Sequence, residues 1–206
     1  MIDLYTWSTP NGNKIHIMLE ETGLDYRLHP VNLDKAEQKT ADFLAINPNG
    51  KIPAIIDRAG PDGKPLAIFE SGAILVYLAE KSGALIPSET AGKWRTMSWL
   101  MFQVGAVGPF LGQAGYFLHR ASEPVPFAVE RFVTEAERLY GVVESRLSES
   151  AYLAGEYSIA DIACYPWMKN HQRFSIDIEE YPAIARWLDA IAARPAVTRA
   201  MSIQMD

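Results

Sequence analysis

Cysteine is nearly absent from this sequence, because only Cys164 carries a thiol among 206 residues. A single thiol cannot form an intramolecular disulfide, and it excludes both a Cys-x-x-Cys redox pair and a zinc site built from several thiolates. The four histidines show no metal-ligand spacing such as His-Glu-x-x-His. We therefore expect no metal cofactor, and the composition predicts a cytoplasmic protein in a reducing cytosol.

Long apolar runs and an excess of positive charge are also missing. No segment approaches eighteen consecutive apolar residues, and Asp3 interrupts the amino terminus where a signal peptide would carry its apolar core. Lysine and arginine number 19 against 25 aspartate and glutamate residues, which gives a net charge of −6. The lack of a long apolar run argues against a membrane span. The net negative charge would repel a phosphate backbone, so we expect no nucleic-acid partner.

The first part of the chain has the pattern of a small α/β domain. Residues 2–5 predict a strand, residues 8–12 a turn, and the apolar spacing that follows predicts a helix ending at Gly23. Residues 26–31 predict a second strand, parallel to the first because a right-handed crossover normally returns beside it. The pattern then predicts a short helix over 42–46, a break at 47–50, strands over 52–56 and 66–69 paired as a hairpin, and a helix over 73–80 that ends at Gly83.

After Pro87 the alternating pattern stops and long helical patterns replace it. We predict an α/β domain over 1–83, a linker over 84–90 and an all-helical domain over 91–206. Within the helical part, the spacing predicts one helix marked by Trp94, Met97, Met101 and Val104, another with an apolar stripe from Phe132 to Leu147, and a last helix starting at Pro182.

Ser158 and Asp161 have the spacing of a capping box, which predicts the start of a further helix through Cys164 and Trp167. Asp161 is a potential catalytic acid by residue type, but this spacing favours capping. For Cys164 we predict a buried, structural thiol, since it stands beyond the first helical turn, where a helix amino terminus no longer lowers a thiol pKa.

Four segments in this order resemble cytosolic glutathione transferases. They are Thr9-Pro10-Asn11-Gly12, Asn47-Pro48-Asn49-Gly50-Lys51-Ile52-Pro53, Glu70-Ser71 at the start of a helix, and Ser158-Ile159-Ala160-Asp161. The resemblance implies a thioredoxin-like amino-terminal domain followed by an all-helical carboxy-terminal domain. With Gln38 and Arg131 further along, the sequence looks most like the bacterial Nu class, whose members are associated with reduction of disulfides by glutathione.

The resemblance also implies where glutathione binds. Ile52 and Pro53 would form a cis peptide bond that exposes the Ile52 backbone to the cysteinyl part of glutathione, with an ordinary edge-strand proline as the alternative. Glu70 and Ser71 would bind the ammonium and carboxylate of the γ-glutamyl end, with a plain helix cap as the alternative. Lys51 completes this group as a contact for the glycyl end.

The remaining site residues follow from the same resemblance. Gln38 would hydrogen-bond the glycyl end, and Arg131 would contact a carboxylate, with a solvated arginine as its alternative. Thr9 and Asn11 would donate hydrogen bonds to the glutathione sulfur. Because neither side chain ionises near neutral pH, the implied role is thiolate stabilisation and not proton abstraction; for Asn11 the alternative is a cap or turn residue. Five further residues are candidates for the second-substrate pocket, with the hydrophobic core as the alternative: Phe110, Gln113, Tyr116, Phe117 and His119.

The resemblance implies a glutathione-dependent enzyme of the transferase fold. We expect it to reduce small disulfides or glutathione mixed disulfides by thiol–disulfide exchange, with glutathione as co-substrate. Two alternatives stay open: conjugation of glutathione to an electrophile, and a non-catalytic binding or structural module of the same fold. Members of the family typically form two-fold dimers, so the resemblance also implies a homodimer.

Overall fold

The computed structural model describes residues 1–205, which form two compact units. The first unit contains Met1–Ala84 together with the segment that starts at Arg194, and the second contains Leu85–Ala193. The boundaries of both units differ from the predicted domain ranges 1–83 and 91–206. The larger difference is at the carboxyl end, where the last helix belongs to the first unit.

The first unit is built on one four-stranded mixed sheet in the order β2-β1-β3-β4. Strands β1 and β2 are parallel, as predicted, while β3 runs antiparallel to both β1 and β4. The sheet supports the predicted thioredoxin-like arrangement, and β3 begins only after Pro53, two residues later than predicted. The strand bounds are β1 Ile2–Thr6, β2 Tyr26–Pro30, β3 Ala54–Asp57 and β4 Leu66–Phe69.

Helices accompany this sheet, and the first and third of them begin soon after a strand ends. Thr9 caps the first helix through its side chain, so residues 10–12, predicted as part of a turn, already belong to that helix. Gly23 and Gly83 end the first and third helices in the left-handed conformation, as the sequence predicts. The helices of this unit before Ala84 are α1 Pro10–Thr22, α2 Ala41–Ile46 and α3 Ser71–Ser82.

Ion pairs tie the carboxyl end of the chain to α1. Arg194 makes a two-pronged pair with Glu21, its Nε and Nη2 atoms 2.6 and 2.9 Å from the two carboxylate oxygens. Arg199 donates to Glu20 at 2.7 Å. Together with the buried apolar residues Ala196, Val197 and Ala200, these contacts hold the final helix against the α/β unit. They also correct the expectation that the helix starting at Pro182 is the last.

The second unit is entirely helical in its described elements. Its longest helix buries the predicted apolar stripe, and Phe132 lies at the partly exposed end of that stripe. The helices, with the final one of the first unit, are α4 Thr90–Phe102, a π-helical turn Gln103–Val107, α5 Gly108–His119, α6 Pro126–Glu149, α7 Ile159–Met168, α8 Pro182–Ala192 and α9 Pro195–Met201.

Asp161 joins three segments of the second unit. Its carboxylate accepts hydrogen bonds from the backbone N–H groups of Ser158 and Leu153 and from the Trp187 indole, all between 2.9 and 3.0 Å. The capping box at Ser158 is therefore present, as predicted. Burial raises the pKa of Asp161 to about 6, against the opposing effect of these donors. The residue is a structural hub, and Cys164 on the same helix is fully buried.

Three of the four residues that mark the first predicted helix of this unit are exposed on α4 and the π-helical turn, and Met97 is half-buried. Trp94 is 65% exposed, and Met101 and Val104 are also exposed, whereas Thr96 and Leu100 face the core. The predicted helix is therefore present, and the apolar residues that mark it are largely on its exposed side. Among residues 1–205, no helix combines the length and apolar character needed to cross a membrane.

His16 provides a test of the packing around α1. Burial lowers the pKa of this fully enclosed imidazole from 6.5 to about 4, although the Glu20 carboxylate acts in the opposite direction. Because the folded-state pKa is depressed, the stabilisation is present above pH 6.5 and is lost as the pH falls to 4. We expect the free energy of unfolding to fall by about 3 kcal/mol across this interval through His16.

Urea unfolding at several pH values measures this effect. His16→Leu should flatten the dependence between pH 6.5 and 4, because the variant lacks the titrating imidazole. Equal slopes in wild type and His16→Leu would contradict the expectation.

Candidate functional site

Strand direction brings two helix amino termini to the same edge of the sheet. Because β3 is antiparallel to both β1 and β4, β1 and β4 run in the same direction. Tyr5, Ala54 and Phe69 share one rung near this edge. Helix α1 starts after β1 and α3 starts after β4, so their free N–H groups open on one side. This edge favours a negatively charged ligand.

The start of α1 is held tightly against the end of β1. Thr9 Oγ1 accepts a hydrogen bond from the Gly12 N–H at 3.2 Å, and its own N–H donates to the Trp7 carbonyl at 2.7 Å. A Cβ atom at Gly12 would collide with the Trp7 carbonyl oxygen, so only glycine permits this approach. Asn11 consequently lies in the first helical turn and is half-buried. Thr9 is the residue that caps α1, so Asn11 does not have the capping role considered for it.

The loop before β3 is shaped by a buried asparagine. Asn47 accepts from the Asn49 N–H at 2.9 Å and donates from Nδ2 to the Lys51 carbonyl at 2.6 Å. The Ile52–Pro53 peptide bond that follows is cis, as the resemblance implies. Ile52 belongs to a small apolar cluster against which Trp7 packs. This cluster places the loop beside the start of α1.

The start of α3 has an unusual backbone conformation. Glu70 has φ +69° and ψ +116°, a region that non-glycine residues rarely adopt, and its side chain does not cap the helix. Its carboxylate is exposed and accepts from Asn49 Nδ2 at 3.3 Å. The plain helix cap is thus excluded as the role of the Glu70 side chain. Ser71, the first helical residue, accepts a hydrogen bond from Lys14 Nζ at 3.1 Å.

Two further residues at this edge have no role that the sequence predicts. Asn49 lies in a predicted break, and its bond to Glu70 depends on a contact between distant segments. Lys14 stands four residues before Met18, on the apolar face of the predicted helix, and a lysine there was an available signal. Its target, Ser71, could not be known without the packing of α1 against α3.

Gln38 and Lys51, the two predicted contacts for the glycyl end of glutathione, lie at the loop before β3. A Cβ atom at Gly50 would be 2.9 Å from Lys39 Nζ and 3.1 Å from the Gln38 carbonyl oxygen, so these segments are neighbours. The Gln38 side-chain oxygen is buried and has no hydrogen-bond partner among the described residues. Lys51 is exposed at the end of this loop.

The other predicted contacts belong to the second unit. Arg131 is exposed on α6 and is not among the residues that the first unit brings together. A groove of about 740 Å³ lies between the end of α5 and the start of α6, and Phe117 and His119 are part of its lining. The described residues contain no group of three or more histidine, cysteine, aspartate or glutamate side chains placed to hold a metal ion.

Comparison with known proteins places both parts of the chain in one family. Residues 1–80 match the family model described as the amino-terminal domain of glutathione S-transferase, and residues 110–195 match its carboxy-terminal domain. The chain is 51% identical to the disulfide-bond oxidoreductase YfcG of Escherichia coli (strain K12), over 98% of this chain and 94% of that protein.

Solved structures show the same similarity in three dimensions. A glutathione transferase from Pseudomonas putida, with one glutathione disulfide bound per subunit, superposes with a TM-score of 0.95 at 43% identity and covers 98% of this chain and 91% of its own. A glutathione transferase from Burkholderia graminis, with two glutathione molecules bound per subunit, gives 0.93 at 48% identity, with coverages of 97% and 87%. This chain is a glutathione transferase-like enzyme and belongs to the glutathione S-transferase family.

Proposed function

We propose that the chain binds glutathione at the sheet edge described above and uses its thiolate to reduce small disulfides or glutathione mixed disulfides. The observation that carries the proposal is that the amino termini of α1 and α3 lie at the same edge of the sheet. Two strand spacings separate β1 from β4, about 10 Å. An extended tripeptide has roughly that length, so one molecule can contact both helix starts.

The polar groups along this edge match the γ-glutamyl, cysteinyl and glycyl parts of glutathione in that order. Ser71 and the α3 amino terminus would bind the γ-glutamyl carboxylate, and the exposed Glu70 carboxylate would bind the γ-glutamyl ammonium. The Ile52 backbone, beside Pro53, would pair with the cysteinyl residue. Lys51 and Gln38 would contact the glycyl end, and the unpartnered buried oxygen of Gln38 supports its side chain as an acceptor. Arg131 remains a proposed carboxylate contact on the second unit.

Thr9 and Asn11 would hold the sulfur at the start of α1. The Thr9 oxygen accepts the Gly12 N–H, which leaves its hydroxyl hydrogen available to a thiolate. Hydrogen bonds and the positive end of the helix both favour thiolate over thiol. Neither side chain needs to remove a proton, because lowering the thiol pKa allows solvent to take it.

Reduction of a small disulfide requires two glutathione molecules, whereas a glutathione mixed disulfide enters at the second step and requires one. In the first step the thiolate attacks one sulfur, the disulfide bond breaks, and a mixed disulfide forms as the other sulfur leaves as thiolate and takes a proton. A second glutathione attacks the mixed disulfide and yields glutathione disulfide and the second thiol. The name of the YfcG relative and the glutathione disulfide bound to the Pseudomonas putida neighbour support this reaction.

We also propose a homodimer in the cytoplasm. The support for dimerisation is the exposed apolar stripe of α4 and the π-helical turn, formed by Trp94, Met101 and Val104. A second copy of the chain would remove this surface from water. The cytoplasmic location remains a prediction from the single cysteine.

Ser71→Ala should weaken glutathione binding by about 1–3 kcal/mol, since a buried carboxylate would lose one hydrogen bond. Calorimetric titration measures the loss, and thermal unfolding should change less. Ser82→Ala, at the other end of α3, is the matched control, because its hydroxyl bonds only α3 carbonyl groups. Unchanged affinity in Ser71→Ala would defeat the assignment.

The proposed reaction predicts that turnover of a small disulfide exceeds turnover of a chlorinated aromatic electrophile, when both are measured side by side with glutathione.

Asn11→Ala should reduce turnover more than glutathione affinity, because its contact acts on the sulfur. Cys164→Ser should keep most activity once corrected for folded fraction. Faster turnover of the electrophile than of the disulfide would favour conjugation. Failure of the wild-type chain to bind either reduced or oxidised glutathione would favour the non-catalytic alternative.

Trp94→Glu should convert a dimer into a monomer, because it places a charge in the apolar stripe. Sedimentation velocity measures the change. Phe127→Glu, at a phenylalanine that is 77% exposed outside this stripe, serves as the control. A wild-type monomer, or an unchanged dimer in Trp94→Glu, contradicts the proposed interface.

A further inference from the structure

Lys14 is an unusually buried cation next to the proposed ligand site. Only 2% of its surface is exposed, and its Nζ atom donates to Ser71 Oγ at 3.1 Å. A lysine ammonium group has donors and no acceptor, so this bond occupies a lone pair of the serine oxygen. The hydroxyl hydrogen of Ser71 must therefore point to another acceptor. Lysine is rarely buried to this extent without a specific partner.

We propose that Lys14 is a positioning residue, which fixes the Ser71 hydroxyl as a donor to the γ-glutamyl carboxylate of glutathione. This inference rests on the proposed function. Without the ammonium group, Ser71 could rotate its hydroxyl hydrogen towards the protein and offer the ligand a lone pair, which repels a carboxylate. Lys14 thus determines that position 71 binds an anion.

The charge of Lys14 acts in the same direction as the helix. The amino terminus of α3 carries a partial positive charge, and the buried ammonium lies directly behind its first residue. Burial reduces the screening of this charge by water, so its attraction for an anion persists beyond Ser71. The exposed Glu70 carboxylate lies beside Asn49, on the solvent side, where it suits an ammonium group.

A purely structural role makes a different prediction. If Lys14 only anchors α1 against α3, its removal would shift α1, which also carries Asn11 near the proposed sulfur position. The catalytic rate at saturating glutathione would then fall. If Lys14 acts through Ser71, its removal raises the KM for glutathione and leaves kcat nearly unchanged.

Steady-state kinetics of Lys14→Met with glutathione and a small disulfide separate these roles. We expect KM for glutathione to rise by about tenfold or more, with kcat within about threefold of wild type. Lys14→Arg, which keeps the charge, should recover most of the KM effect. Lys81→Met, which removes a lysine that pairs with Asp57 from the same helix α3, is the matched control and should leave KM unchanged.

A second ligand tests the carboxylate directly. For a glutathione analogue that lacks the γ-glutamyl α-carboxylate, KM should differ by less than about threefold between wild type and Lys14→Met. Equal losses for glutathione and the analogue, or a fall in kcat with unchanged KM, would overturn the assignment of Lys14. Absence of glutathione binding by the wild-type chain would instead overturn the proposed function.

If Lys14→Met does not fold, substitutions at its partner provide the test. A carboxylate in Ser71→Asp would lie beside the ammonium, so this variant should melt at a higher temperature than Ser71→Asn. The same comparison at the exposed position Ala73 measures the helix dipole alone. The proposal requires the larger difference at Ser71, and an equal or smaller difference there overturns it.

Discussion

The rung that joins Tyr5, Ala54 and Phe69 determines the geometry on which the candidate site depends. Antiparallel pairing on both sides of β3 makes β1 and β4 run in the same direction. The helices that follow these strands must then start at the same edge. A shift of one residue in either pairing would turn a strand's side chains to the opposite face and displace one helix start along the sheet by about 3 Å. The site is in this sense a consequence of sheet register.

Buried polar side chains fix the loops that surround this edge. Asn47 holds the segment before the cis Ile52–Pro53 bond, and Lys14 bonds the first residue of α3. Each has almost no exposed surface. Asn47 bonds backbone groups two and four residues further along the chain, whereas Lys14 bonds a hydroxyl group 57 residues away. Such contacts cost free energy when one partner is missing, so they favour a single arrangement.

The second unit uses the same principle for a different purpose. Asp161 links the loop before α7 to Trp187 on α8, and its donors leave it no access to a substrate. The exposed apolar side chains of α4 form the contrasting feature, because they have no buried position within this unit. Helical periodicity alone could not distinguish that exposed face from a core face, since both carry apolar residues at the same spacing.

The sequence by itself determined most of the strands, several of the helices and where some of them end. Gly23 and Gly83 stop helices because glycine tolerates the left-handed conformation, and Ser158 with Asp161 caps α7 because the required donors and acceptors are three residues apart. These are local effects, which neighbouring residues encode completely. The segments around Thr9, Ile52 and Glu70 also identified the family.

Only the tertiary structure decided which of these segments meet. Lys14 and Ser71 are 57 residues apart, and Asn49 and Glu70 are 21 apart, so no local spacing relates them. The attachment of α9 to the first unit likewise depends on Arg194 reaching Glu21, 173 residues earlier. Propensity and periodicity describe one element at a time. Contacts between elements depend on sheet register and helix packing, which are properties of the whole folded unit.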